Sequence, residues 1–436
     1  MGPGHGHAVR PARRGGTRVK ILYYSNFDVL RPSTNRISDV RFCEGFVENG
    51  CEVELTVPYV YRRYNIARSL VNRYYGIEHP FKIVILPTPF WEGISKWLSV
   101  PTLAAMVTAA YLRSLLATRG RWDETVVLSR DVNVLAPLLW INKALLRGRG
   151  PRVVLWAHEV KPESAQYRWV YRSVDGVIGT NSAIVEDVHA KLGVPRSKTA
   201  ITLNPISTRQ LRERLEGGEG KEAIRCRLGL PLDRPLVVYT GKVGAGLREI
   251  ELILAAAARH PGYTFLFTGG KPEAVHHYRS YCEARGLDNV VLTGFLDDYT
   301  EVLQYQVAAD VLVSFYSTQD HLVDYNYPQK ITEYMLSGNP LVTPDYRATR
   351  DVLNERNAIF VAPEDPDSLA EGIRRAVEDR AYARRVAERA FRDVQEYTFE
   401  KRTRLLMDFF ETLGARRGYA LPSALSEPVL PEEQCS

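Results

Sequence analysis

The sequence lacks several features that would point to common enzyme classes. Its 436 residues include only five cysteines: Cys43, Cys51, Cys226, Cys282 and Cys435. None has C-x-x-C spacing, so neither a zinc site nor a disulfide framework is indicated, and the thiols read as reduced packing residues. No G-x-G-x-x-G follows the first strand of either half, and no G-x-x-x-x-G-K-[ST] occurs. These absences argue against a dinucleotide enzyme and a P-loop nucleotidase. The longest uncharged run, Trp97 to Leu112, has 16 residues and contains Pro101. Spanning a bilayer takes about 20 apolar residues, so no transmembrane helix is expected. Residues 1–17 carry arginines but no apolar stretch of the signal-peptide kind, and read as a disordered basic tail on a cytoplasmic protein. D-x-D occurs only at Asp365-Pro-Asp367, where it reads as a helix cap, and no metal is expected.

What is present is an ordinary globular composition, 45% hydrophobic and 25% charged, in a chain long enough for two or three domains. Strand-like runs alternate with helical patterns from Val19-Lys-Ile-Leu-Tyr-Tyr-Ser25 onward, the signature of parallel sheet covered by helices. A second series starts at Leu236-Val-Val-Tyr-Thr240, after a charged stretch from Arg209 to Lys221. The pattern predicts an α/β protein of two doubly wound domains facing a cleft, residues 18–205 and 206–398. Long polar helices are expected at Ser368–Ala390 and Phe399–Arg416, the second (399–416) packing back on the first domain, then a disordered tail at 417–436. Ligands of such domains sit at the carboxyl ends of the strands, and a cleft between two of them suits a pair of substrates.

Two segments carry candidate chemistry. In Tyr327-Pro-Gln-Lys-Ile-Thr-Glu-Tyr-Met-Leu-Ser-Gly-Asn-Pro-Leu-Val342, Lys330 and Glu333 share one face near a helix start. A helix N-terminus with a lysine attracts phosphate, and a carboxylate one turn on can accept bonds from a ribose diol. A surface Lys–Glu pair is the plain alternative. In Val238-Tyr-Thr-Gly-Lys-Val-Gly-Ala-Gly-Leu-Arg-Glu-Ile250, Lys242 and Arg248 bracket a loop with Gly241 and Gly244. Glycines let backbone approach a ligand, and the two cations could clamp a diphosphate.

Together, G-K-x(5)-R and P-x-K-x-x-E-Y-x-x-x-G-x-P-L-V resemble family 4 of the retaining glycosyltransferases, over roughly Val19 to Arg416. The segments Val177-Ile-Gly-Thr-Asn-Ser-Ala-Ile-Val-Glu-Asp187, Leu203-Asn-Pro-Ile206 and Thr293-Gly-Phe-Leu296 support it. The resemblance implies the GT-B fold, two Rossmann-like domains around a cleft, and a nucleotide-diphosphate sugar as donor substrate, with no separate cofactor. It also implies roles. Lys242 and Arg248 match the pair on the diphosphate, Glu333 the ribose-binding second glutamate of E-x7-E, and His158 in Trp156-Ala-His-Glu-Val160 the histidine near the donor sugar. Gly294 and Phe295 match the loop beside the base. Eight residues before Glu333 the family's first glutamate is replaced by Tyr325, with Asp324 beside it as the candidate for contact with the sugar. Asn35 and Arg36 occupy the first βα loop, where the family often has glycines. Arg130 ends a strand and could face the cleft.

Charge divides unevenly. Residues 1–200 hold 28 Lys and Arg against 16 Asp and Glu, and the remainder 29 against 35. The segment from Tyr59 to Tyr75 interleaves Arg62, Arg63, Arg68 and Arg73 with five tyrosines and no acid. Both features suit an anionic membrane surface, although a solvated face explains them almost as well. The expected activity is transfer of a sugar, with retention, to an acceptor glycan or lipid-linked saccharide held by the first domain. The protein would lie in the cytoplasm or at the inner face of the membrane, and no nucleic acid is expected as partner. A sugar-nucleotide 2-epimerase of the same architecture and an inactive sugar-nucleotide binder are the alternatives.

Overall fold

The computed structural model describes residues 19–27, 34–61, 71, 75–91, 96–296, 298–316, 318, 323–325 and 328–416. The two terminal tails, Arg62, Arg63, Arg68 and Arg73, and the side chains of Asn35 and Arg36 lie outside the described residues.

Seven parallel strands form the first sheet: β1 (Lys20–Tyr24), β2 (Glu52–Tyr61), β3 (Lys82–Trp91), β4 (Thr125–Ser129), β5 (Arg152–Ala157), β6 (Gly176–Gly179) and β7 (Thr199–Ile201). Their order is β3-β2-β1-β4-β5-β6-β7. The strands are apolar along most of their length because helices cover both faces. These helices are α1 (Thr34–Glu48) on one side, and on the other α2 (Lys96–Ala117), α3 (Val132–Trp140), α4 (Ala165–Ser173) and α5 (Ser182–Leu192).

The second sheet has six parallel strands: β8 (Leu236–Thr240), β9 (Thr264–Thr268), β10 (Val290–Gly294), β11 (Val311–Val313), β12 (Leu341–Pro344) and β13 (Ile359–Val361), in the order β10-β9-β8-β11-β12-β13. Its helices are α6 (Thr208–Leu215), α7 (Lys221–Leu228), α8 (Arg248–Arg259), α9 (Pro272–Glu283), α10 (Tyr299–Ala308), α11 (Lys330–Ser337), α12 (Pro366–Glu378) and α13 (Arg380–Val394). In each sheet the strand order reverses once, between β1 and β4 and between β8 and β11. Such switch points leave a crevice at the strands' carboxyl ends, and here both crevices open onto one cleft.

The chain crosses between domains twice, and the crossings are bonded to each other. Ile206 N donates to Tyr397 O at 2.8 Å, and Phe399 N to Ile206 O at 3.0 Å. The last helix, α14 (Phe399–Arg416), then returns to the first domain. Its Phe399, Leu406, Phe410 and Leu413 are buried beside Phe42 and Phe46 of α1, with the Phe42 and Phe399 rings 4.8 Å apart. Each such side chain contributes roughly 1.5–3 kcal/mol when removed from water, so the return is anchored by packing.

Two expectations about secondary structure need correction. Ser368–Ala390 is not one helix. Asp379, with ψ of 73°, ends α12, and its carboxylate accepts from Tyr382 N at 3.0 Å to start α13. The charged stretch from Arg209 to Lys221 holds most of α6, whose start is a capping box between Ser207 and Gln210. Asp365 does cap α12, accepting from Asp367 N at 2.9 Å and Ser368 N at 3.1 Å.

Candidate active site

The cleft between the sheets encloses about 1200 Å³. On the second domain's side, β8 delivers Thr240 to its rim and Gly241 turns away with φ of +146°. A Cβ on Gly241 would stand 3.0 Å from Lys330 Nζ, and one on Gly269 would meet the Gly241 carbonyl oxygen at 1.9 Å. Both positions therefore need glycine, and the bare loop leaves room for a ligand beside Lys242. Lys330 opens α11, and its ammonium lies 4.0 Å from the centroid of the Tyr239 ring and 4.9 Å from that of Tyr316. Burial pulls its pKa down to about 7, against the opposing pull of Glu249 and Glu333. An uncapped helix start beside a lysine is an anion site in waiting.

One turn along α11, Glu333 is buried and accepts hydrogen bonds from the Tyr299 hydroxyl and from Gln306 Nε2 at 3.2 Å. Burial raises its pKa, and these two bonds work in the opposite direction. The next residue, Tyr334, accepts from Thr240 N at 2.8 Å and so fastens α11 to the end of β8. Gln329 Nε2 donates to Pro205 O at 2.5 Å, which ties the helix start to the domain crossing.

The first domain contributes a different wall. Arg130, at the end of β4, has its Nε 2.8 Å from Asp39 Oδ1, and its Nη2 donates to Ser38 Oγ at 2.9 Å. Asp39 also accepts from Tyr23 Oη and Ser25 Oγ, each at 2.8 Å. The guanidinium stands 5.3 Å from the Trp156 ring centroid, so the first domain fixes its position while it still lines the cleft. His158 follows β5 and is open to the cleft's solvent while protein surrounds it on most sides. That burial first, and the Arg130 charge second, lower its pKa well below the usual histidine range.

Of the candidate residues, Gly241, Lys242, Lys330, Glu333, His158 and Arg130 share this cleft, and Tyr325 lines it too. Arg248, Asp324, Gly244, Gly294 and Phe295 do not line it. Arg248 is drawn to Glu364, Nε to Oε2 at 3.3 Å, so the expected bracket of two cations around the loop is not formed. Phe295 is 73% exposed, and the Gly294 carbonyl accepts from Gly269 N at 2.8 Å. Tyr325 turns to the first domain, its hydroxyl donating to Asp187. Sequence reasoning missed Tyr299, Gln306 and Asp39. Only Asp39 left a trace, a carboxylate on the inward side of the α1 pattern.

Comparison with known proteins agrees with this architecture. Residues 234–379 match a family model described as "Glycosyl transferases group 1". A Bacillus subtilis protein, TuaC, provisionally named a teichuronic acid biosynthesis glycosyltransferase, is 24% identical over 268 residues, covering 61% of this chain and 63% of its own. The chain spans 55–63% of the length of the curated relatives it matches. A sucrose-phosphate synthase from Thermosynechococcus elongatus superposes with a TM-score of 0.67 at 18% identity, over 92% of this chain and all of that one. Anabaena HepE, solved with UDP and glucose, gives 0.63 at 15% identity, over 90% of this chain and all of that one. The fold is therefore GT-B, two parallel-sheet domains around a cleft, with the matched glycosyltransferase region in the second of them.

Proposed function

We propose that this protein transfers a sugar, with retention of anomeric configuration, from a nucleotide-diphosphate donor to an acceptor hydroxyl. The observation that carries the reading is the meeting of Gly241, Lys242, Lys330 and Glu333 with His158 in one cleft, at the switch points of both sheets. Glu333 would take the ribose diol, and Lys242, Lys330 and the start of α11 the diphosphate. These positive groups offset the charge that develops as the diphosphate departs, the step where electrostatic stabilisation counts most. Arg248 would join them on leaving Glu364. His158 can exchange hydrogen bonds with hydroxyls of the donor sugar. The leaving phosphate would accept the acceptor's proton on the face it vacates. The basic first domain would hold the acceptor, a glycan or a lipid-linked saccharide.

A panel of labelled nucleotide sugars tests this, with UDP-glucose included because Anabaena HepE was solved in complex with it. The reading expects a thermal shift with one donor, release of its nucleoside diphosphate, and a product with the donor's anomeric configuration. Tyr325 at the place of the family's first glutamate supports one other reading, a binder without turnover. Affinity with no release of diphosphate from any donor and acceptor pair would favour that reading and reject transfer.

A further inference from the structure

Of the twelve large hydrophobic side chains exposed among the described residues, five fall on one helical layer of the first domain: Leu112, Leu116, Trp140, Leu145 and Trp169. They are neighbours in the fold. Leu112 and Leu116 sit one turn apart on α2, next round the helix from buried Tyr111 and Leu115. Tyr111 donates its hydroxyl to Asn142, in the π-helical turn Ile141–Leu145 that follows α3. Lys143 of that turn donates to Ser173 Oγ at 2.9 Å, and Ser173 lies one turn beyond Trp169 on α4. The layer thus runs from α2 through the π-helical turn to α4 without a break.

Its own segments are basic. Residues 112–121, 140–149 and 166–174 contain eight Lys and Arg and no Asp or Glu. Arg119, Arg147 and Arg149 are exposed and make no ion pair among the described residues. Arg147 has φ of +51°, a left-handed conformation that a glycine adopts without strain and an L side chain rarely does. Wide rings and leucines rimmed by unpaired cations are what an interfacial surface presents to anionic lipid, the apolar groups entering the headgroup boundary and the cations meeting phosphate. Arg113 and Arg121 pair with Glu54, Glu52 and Glu124, so the excess positive charge of this face rests on Arg119, Arg147 and Arg149, which would meet lipid phosphate.

We infer that this face, Leu112–Leu116 on α2, Trp140–Arg149 and Trp169 on α4, docks on an anionic membrane. No helix of the described residues is long and apolar enough to cross one, so attachment is to the surface. α3 begins at Asp131, whose carboxylate accepts from Asn26 Nδ2 at 2.7 Å, and Asn26 lines the cleft. The proposed face, at the C-terminal ends of α2 and α3, lies at the opposite end of these helices from the cleft rim. The inference is independent of glycosyl transfer.

The test is co-sedimentation of the full chain with vesicles of equal phosphatidylglycerol and phosphatidylcholine, and with phosphatidylcholine alone, at 50 and 500 mM salt. Binding should require the anionic lipid and fall more than about tenfold at high salt, where screening shortens the reach of charge. A variant with Arg119→Ser, Arg147→Ser and Arg149→Ser should lose about a hundredfold, since each cation near such a surface is worth roughly fivefold in binding. Trp140→Ser with Leu145→Ser should lose at least tenfold. Melting curves should stay within a degree or two of wild type, because all five side chains are exposed. Failure of the wild type to pellet, or equal pelleting by all three proteins, overturns the inference. So does self-association that Trp140→Ser with Leu145→Ser abolishes while no protein binds vesicles, which would assign the face to a second copy. Donor turnover measured on the same samples separates this from the proposed function, since none of the five residues lines the cleft.

Discussion

Tyr325 donates its phenolic hydroxyl to the Asp187 carboxylate of α5, joining the second domain to the first beside the cleft. It is one of several bonds at the start and along one side of that helix. Asn181 Nδ2 donates to the Tyr325 carbonyl at 2.9 Å, Ser182 N to Asp351 Oδ2 at 2.5 Å, and Arg347 pairs with Glu186. Tyr325 is thus part of the contact between domains. Tyr325→Phe removes only the hydroxyl. A bond to a charged acceptor contributes about 1.5–3 kcal/mol, less at a solvent-facing rim, so donor kcat/KM should fall roughly fivefold with little change in Tm. Tyr325→Glu sets a carboxylate against Asp187, and should be worse than Tyr325→Phe. A gain of activity in Tyr325→Glu would show that the contact does not matter. Small-angle scattering, expected to show a larger radius of gyration for both variants, provides the check on closure.

Lys330 makes pH informative. Its folded pKa of about 7 lies below the value of about 10.4 expected in the unfolded chain. Between those values the unfolded chain holds a proton that the folded protein has released. Stability therefore rises with pH across that window, and below it the cost of the buried charge is fully present. Lys330→Met should raise Tm at pH 6 and lose that advantage toward pH 10. Donor capture runs the other way. Wild-type kcat/KM should decline as pH passes 7 and the free protein loses its ammonium, and Lys330→Met, already slow, should lack that limb. A flat wild-type profile from pH 6 to 9 would remove Lys330 from the diphosphate site.

Glu333 separates binding from folding. Glu333→Gln keeps an acceptor for Gln306, and the Tyr299 hydroxyl can turn to accept from the new amide. Burial holds the Glu333 carboxyl above its ordinary pKa, so removing the charge should not lower stability at pH 8. Loss of a charge-assisted bond to a ribose should raise donor KM about ten- to a hundredfold with kcat nearly unchanged. Isothermal titration with the nucleoside diphosphate alone measures the same loss without turnover.

The sequence made most of this fold legible through its strands. Leu236–Thr240 and Thr125–Ser129 stand as expected because each is a short apolar run with a polar residue or a glycine beyond it. The short strands β7 and β13 were not legible, since three residues carry no periodicity. The helix α6 was lost inside the charged stretch and α7 just after it, although Ser207-Thr-Arg-Gln210 carried the signal of a helix start. At the site, Lys330 and Glu333 could be placed by helical spacing. The supports of Glu333 could not, because Tyr299 and Gln306 reach it from α10 across a packed interface. Arg248 went astray for a related reason, because its competitor Glu364 is remote in sequence.

Asp39 anchors the first domain's side of the cleft, and its loss should be felt in stability before anything else. The residue is 1% exposed, and around it stand Tyr23, Ser25 and Arg130. Asp39→Asn would leave the Arg130 guanidinium, itself largely buried, without a counter-charge, and breaking one side of a buried pair costs about 3–5 kcal/mol. The urea midpoint should fall accordingly with the m-value unchanged. Adding Arg130→Met to Asp39→Asn should recover part of the loss, because the stranded charge goes with the side chain. Activity divides the two variants differently. At a temperature where both are folded, Asp39→Asn should keep some turnover through a mobile Arg130, and the double variant should not if Arg130 faces the ligand. Equal turnover in the two would confine Arg130 to the fold and leave His158 as the first domain's contact with the sugar.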